Sequence, residues 1–149
     1  MKTIVNPLPR QNFSEVELHR GTSPTGSTPV GRDIPSSICL LLVGDNVRLG
    51  HALKLGLERE GIQVVFASCR ASTLVLLESR TFDVILIDLD MPEIDGLGLY
   101  EKLTLTMKKR MVLSTGSLQE IQIPDGVPLL MKPMNIPNLQ AVVRQVAAR

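Results

Sequence analysis

The sequence predicts an α/β fold, a parallel sheet with helices on both faces. Two observations carry this. Short apolar runs alternate five times with segments of helical periodicity, the pattern of parallel strands joined by right-handed crossovers. One run, Asp83-Val84-Ile85-Leu86-Ile87-Asp88, is apolar on successive positions, so it fits a strand buried on both faces at the centre of such a sheet. Pro92 cannot continue a ladder, so Asp88 stands at the carboxyl end of that strand. In open α/β sheets, ligands and chemistry gather at this edge.

The elements follow in order. Ile38 to Val43 is the first strand. Leu49, Ala52, Leu53, Gly56 and Leu57 recur on one face of a first helix, and Gly61 supplies the left-handed residue that ends it. Ile62 to Ala67 is the second strand and Arg70 to Ser79 the second helix. Asp83 to Ile87 is the third strand, Gly96 to Thr104 the third helix. Met107-Lys108-Lys109-Arg110 is expected to be a solvated loop leading into the fourth strand, Arg110 to Leu113. Val127 to Met131 is the fifth strand. Asn135 caps a last helix in which Ile136, Leu139, Val142, Val143 and Val146 share a face.

Composition changes near residue 37. Five of the ten prolines lie before it, at Pro7, Pro9, Pro24, Pro29 and Pro35. Residues 21–31 mix Gly, Thr, Ser and Pro, a composition that buries too little surface to offset the entropy of ordering. Residues 1–36 are therefore expected to form a disordered tail or linker, and 37–149 a single domain. Phe13 to Leu18 could order on a partner. A net charge of +1 over 149 residues argues against a nucleic-acid or membrane-surface binder driven by charge. No apolar run approaches the ~20 residues of a membrane helix. Met1 to Arg10 lacks the apolar stretch of a secretory leader. Cys39 and Cys69 have no metal-type spacing and read as reduced thiols, so a cytoplasmic protein is expected. His51 reads as a surface residue.

The polar residues that close the strands are the functional signal. Gly44-Asp45-Asn46 closes the first, Asp88 the third, Ser114-Thr115-Gly116 the fourth and Lys132-Pro133 the fifth. In a parallel sheet they share one edge. Carboxylates that converge repel one another and call for a hard cation such as Mg²⁺ held through oxygens. A metal, a lysine and a hydroxyl suit a transferred phosphoryl group, whose oxygens carry the charge. The remaining carboxylate can then serve as nucleophile.

In this order and on these strand ends, Val43-Gly44-Asp45-Asn46, Asp88-Leu89-Asp90-Met91-Pro92 with Asp95-Gly96, Ser114-Thr115-Gly116 and Lys132-Pro133 resemble the receiver domain of two-component response regulators. The resemblance covers 38–148. It implies a flavodoxin-like, doubly wound five-stranded sheet of order 2-1-3-4-5, and a signalling domain rather than a turnover enzyme. It implies that Asp88 accepts a phosphoryl group from a histidine of a partner kinase or histidine phosphotransfer protein. It assigns Mg²⁺ to Asp45, Asp88 and the backbone carbonyl of Asp90. Thr115 would hydrogen-bond the phosphoryl oxygens, and Lys132 would pair with them ahead of a cis bond to Pro133. Val43-Gly44-Asp45 followed by Asn46 is closer to receivers attached to hybrid sensor kinases than to those on DNA-binding regulators.

Three departures from the family pattern bear on function. The first of the usual two adjacent acids is replaced by Gly44, so Mg²⁺ binding is expected to survive but weaken, with Asp90 partly restoring the charge. The usual switch aromatic three residues before the lysine is Leu129. Only 16 residues separate Thr115 from Lys132, and they include Pro124-Asp125-Gly126. The fourth helix is thus expected to shorten to a turn or a single helical turn. No output domain is expected after the last helix. Two alternatives remain. One is a pseudo-receiver that docks partners without phosphorylation. The other is a phosphatase of the haloacid dehalogenase type, whose first motif resembles Asp88-Leu89-Asp90. That superfamily needs acids after its lysine, and here no Asp or Glu follows Asp125.

Overall fold

A computed structural model describes residues 2–4, 37–92, 95–117 and 121–149. The expectations for residues 5–36 lie outside the described residues. Five parallel strands form the main sheet: β2 (Cys39–Val43), β3 (Gln63–Ala67), β4 (Val84–Asp88), β5 (Met111–Thr115) and β7 (Leu129–Met131). Their spatial order is β3-β2-β4-β5-β7. Counted within this sheet alone, that is the predicted 2-1-3-4-5 order. Register is set by the pairs Val43↔Ile87 and Asp88↔Ser114. β4 is central and all five of its residues are buried, which is why it could afford no polar residue before Asp88.

Alternate residues of the strands enter two hydrophobic layers. Leu40, Leu42, Leu86 and Val112 face α1 (Val47–Arg59) and α5 (Ile136–Ala147), where Leu57, Leu139 and Val143 complete the layer. Leu41, Val43, Ile85, Ile87 and Leu113 face the opposite way. There α2 (Arg70–Ser79) contributes Leu77 and α3 (Gly96–Glu101) contributes Leu99. The period-2 alternation of each strand thus supplies both layers at once. Asn46 and Asn135 cap α1 and α5, accepting from the amides of Leu49 and Asn138 at 3.0 and 2.8 Å. Gly61 has φ +82° and ends α1 as expected.

Three local expectations differ from the structure. The third helix ends at Glu101, and a further short helix, α4 (Leu105–Lys108), takes in half of the expected Met107–Arg110 loop. Thr104 caps it through Oγ1, accepting from the Met107 amide at 3.3 Å. The shortened fourth helix expected after Thr115 is, among the described residues, a strand, β6 (Ile121–Ile123). Ile-Gln-Ile alternates and is β-branched, so it favours an extended chain that turns both isoleucines inward. Ile123 is buried in the core and Ile121 packs against it. β6 pairs antiparallel with β1 (Lys2–Ile4) in a separate two-stranded sheet. Finally, the buried stripe of α1 is Gly50, Leu53 and Leu57, with Leu49 and Ala52 turned to solvent.

Gly50 marks that rotation. A Cβ there would lie 2.4 Å from Cε2 and 2.5 Å from Cζ of Phe66. The ring sits where a side chain would be. At Gly56, in the same helix, a Cβ would meet Ile136 Cδ1 at 2.5 Å and Cγ1 at 2.7 Å, so the aliphatic end of that side chain would have to turn aside. Alanine gains roughly 0.5–1 kcal/mol over glycine in a helix, whereas overpacking costs about 1–3 kcal/mol. Gly50→Ala is therefore expected to lower stability, and by more than Gly56→Ala, since an aliphatic chain can turn aside where a ring cannot. Urea denaturation of both variants checks this; equal midpoints would show that Phe66 moves aside without cost.

Candidate active site

Asp88 closes β4 with its side chain nearly buried. Its Oδ1 accepts from the backbone N–H of Asp90 at 2.8 Å, a side-chain-closed turn that starts the loop directly at the strand end. The Leu89 amide donates to the Ser114 carbonyl at 2.8 Å, and Met91 is buried beneath the loop. The carboxylate is therefore held from both sides, by the sheet and by the turn.

Lys132 follows β7, its backbone N–H donating to the Thr115 carbonyl at 2.9 Å. The Lys132–Pro133 bond is cis, as the resemblance implies. The ammonium Nζ lies 2.5 Å from Asp88 Oδ2 and 3.1 Å from Asp90 Oδ2. Thr115, buried at the end of β5, donates from Oγ1 to Asp90 Oδ1 at 2.6 Å. The Gly116 amide donates to Asp90 Oδ2 at 2.6 Å, and the Ser117 amide donates to Thr115 Oγ1 at 3.0 Å. Among the described residues, no buried side-chain nitrogen or oxygen lacks a partner.

These contacts set the local charge. Burial works to raise the Asp90 pKa, but hydrogen bonds from Thr115, the Gly116 amide and Lys132 outweigh it and hold the carboxyl below its usual range. Burial likewise works to lower the Lys132 pKa, and its bonds to Asp88 and Asp90 overcome this and raise it. Each group stabilises the charged form of the other.

Four of the five predicted site residues, Asp88, Asp90, Thr115 and Lys132, thus meet in one network. Asp45 stands apart. It is exposed in the β2–α1 loop and takes no part in these bonds. Its strand end is nevertheless beside Asp88: a Cβ on Gly44 would lie 4.0 Å from the Asp88 Cβ. A small open cleft runs along this edge, lined by Gly44, Asn46, Phe66, Asp88, Ser114 and Lys132. Among the described residues, no three His, Cys, Asp or Glu side chains are grouped to hold a metal ion. By its chemistry, a set of two carboxylates and one backbone carbonyl would suit Mg²⁺, which keeps several waters and needs few protein oxygens.

Sequence reasoning missed two features. The Gly116 amide is a donor as short as the Thr115 hydroxyl, and the glycine beside Thr115 was its only signal. The spacing of Asp90 from Asp88 allowed its side chain to point into the same cleft, but its partners there were not foreseen. Its carboxylate faces the hydroxyl, amide and ammonium rather than open solvent.

Comparison with known proteins agrees with this geometry. Residues 40–144 match the family model of the response regulator receiver domain. The chain is 30% identical over 115 residues to the transcriptional regulatory protein AfsQ1 of Streptomyces coelicolor, covering 74% of this chain and 51% of that protein. It is 38% identical over 86 residues to the sensor histidine kinase AruS of Pseudomonas aeruginosa, covering 57% of this chain and 8% of that protein. The chain thus spans about half the length of the curated relatives of the first kind. A CheY-like receiver domain from Methylobacillus flagellatus has a TM-score of 0.65 at 26% identity, over 74% of this chain and 99% of that one. A response regulator from Burkholderia pseudomallei, solved with a phosphorylated aspartic acid, a calcium ion and citrate, has a TM-score of 0.63 at 27% identity, over 75% and 69%. The matched family model is that of a signalling domain rather than a turnover enzyme, which sets aside the phosphatase alternative. Among the described residues, no helix is long and apolar enough to cross a membrane. With Asp88, Thr115 and Lys132 on three neighbouring strand ends of a 2-1-3-4-5 sheet, the chain belongs to the response regulator receiver domain family of two-component signal transduction.

Proposed function

We propose that Asp88 accepts a phosphoryl group from a phosphohistidine of a histidine kinase or histidine phosphotransfer protein. The observation that carries this is the Lys132 ammonium, 2.5 Å from the buried Asp88 carboxylate and braced by the strand that bears Thr115. In the transfer, an Asp88 oxygen forms the new O–P bond. The N–P bond of the donor breaks, and its electron pair stays on the imidazole nitrogen, which takes up a proton. Lys132 Nζ, Thr115 Oγ1 and the Gly116 amide, carried on two neighbouring strand ends, supply donors for the phosphoryl oxygens. Mg²⁺, held by Asp45, Asp88 and the Asp90 carbonyl, would neutralise further charge on those oxygens when bound.

The phosphorylated aspartic acid of the Burkholderia protein supports the same chemistry here. Docking of a downstream protein in the cytoplasm is the output this reading implies, and the match to AruS is in keeping with a place beside a sensor kinase. The test is incubation with acetyl phosphate and Mg²⁺, followed by intact-mass measurement. One added phosphoryl group on the wild type, absent from Asp88→Asn, is expected. No adduct at millimolar donor would overturn the reading.

A second reading has its own observation. β6 stands where a turn or a single helical turn was expected, and Leu129 replaces the switch aromatic. Both remove parts through which modification ordinarily reaches the surface. A pseudo-receiver that docks its partner without phosphorylation would give no adduct, yet its partner would bind Asp88→Asn as well as wild type.

A further inference from the structure

Three donors on two strand ends, Thr115 Oγ1, the Gly116 amide and Lys132 Nζ, converge on one carboxylate, that of Asp90, at 2.6, 2.6 and 3.1 Å. A hydroxyl, an amide and an ammonium around two anionic oxygens form the kind of cradle that a phosphoryl group requires. Asp90 can fill it because the bond from its own amide to Asp88 Oδ1 fixes the turn and aims its side chain across the mouth of the site. At the same time, about a third of the side chain (32%) is open to solvent, so it can swing out into water.

We propose that the Asp90 carboxylate is an internal anion that occupies the phosphoryl-oxygen subsite and must be displaced before Asp88 is modified. This rests on Asp88 being the phosphoacceptor. The incoming group competes with a tethered ligand only two residues from Asp88. Such tethering gives effective concentrations of mM or more, so the latch is not outcompeted by adventitious anions. Once displaced, Asp90 no longer shares Lys132, and the ammonium is released to the phosphoryl oxygens. The bond between Lys132 and Asp88 persists without Asp90, so removing the latch leaves the acceptor in place.

Two variants test this. Asp90→Ala removes the anion, and Asp90→Asn keeps its shape without its charge. With acetyl phosphate at saturating Mg²⁺, Asp90→Ala is expected to label Asp88 on the order of tenfold faster than wild type, the weight of about one net hydrogen bond. Asp90→Asn should fall between them. A rate equal to or below wild type in both variants would overturn the proposal. Without any donor, the Gly116 amide proton resonance is expected to move upfield in Asp90→Ala, because its short bond to a carboxylate is lost. An unchanged resonance would also overturn it. Absence of label in all three proteins would defeat the phosphoacceptor reading and the gating with it, while the Gly116 shift would still show the carboxylate in its cradle.

Discussion

Lys132→Ala is expected to slow phosphoryl transfer from acetyl phosphate to Asp88 by about 100- to 1,000-fold, the usual loss when one fixed charge-stabilising donor is removed. Lys132 Nζ contacts both Asp88 Oδ2 and Asp90 Oδ2. Its loss does two things. The developing charge on the phosphoryl oxygens goes without an ammonium, and two partly buried carboxylates face each other without a counter-charge. Lys132→Arg is expected to recover little, because a planar fork does not replace a compact charge placed between two carboxylates. Single-turnover labelling under saturating Mg²⁺ measures this, with thermal melting to show that the variants fold. A loss below about fivefold, well short of the donor's ordinary weight, would remove Lys132 from the chemistry.

The centre of the sheet was legible because β4 and β5 are buried on both faces and have no choice of composition. Val84 to Ile87 must be apolar, so the first acid after them marks the strand end and the site together. Thr115 was legible for the same reason at the end of β5, and Lys132 from its place beside Pro133 after a short apolar run. What escaped depends on partners distant in sequence or on the geometry of a single turn. β6 pairs with Lys2–Ile4, more than a hundred residues away, and no local pattern announces such a partner. The face of α1 is set by Phe66 lying against Gly50, a contact across two elements that periodicity alone assigns to Leu49. The aim of Asp90 follows from the bond between its amide and Asp88 Oδ1; one residue's difference in that turn would send the carboxylate into solvent.

Gly44→Asp is expected to tighten Mg²⁺ binding by about 10- to 100-fold, the range over which residues around a metal's direct ligands act. The position accepts a side chain. A Cβ would meet only Phe66 Cε2 at 3.8 Å and Asp88 Cβ at 4.0 Å, both ordinary contacts. The backbone is already tied, with the Gly44 amide donating to the Ala67 carbonyl at 3.1 Å. The added carboxylate would sit between Asp45 and Asp88, where the Val43↔Ile87 register brings the two strand ends side by side. Its effect on stability must therefore change sign with the metal. Without Mg²⁺ it adds like charge to a crowded edge and lowers the melting temperature. With Mg²⁺ that same charge is neutralised and the melting temperature rises above wild type. Gly44→Ala separates the two causes, since it adds the Cβ but no charge, and it should show neither the tighter binding nor the reversal. Melting curves of the three proteins over a Mg²⁺ titration read both quantities at once. Equal Mg²⁺ dependence in Gly44→Asp and wild type would mean that the cation binds away from the β2 end, and Asp45 would lose its place as a ligand.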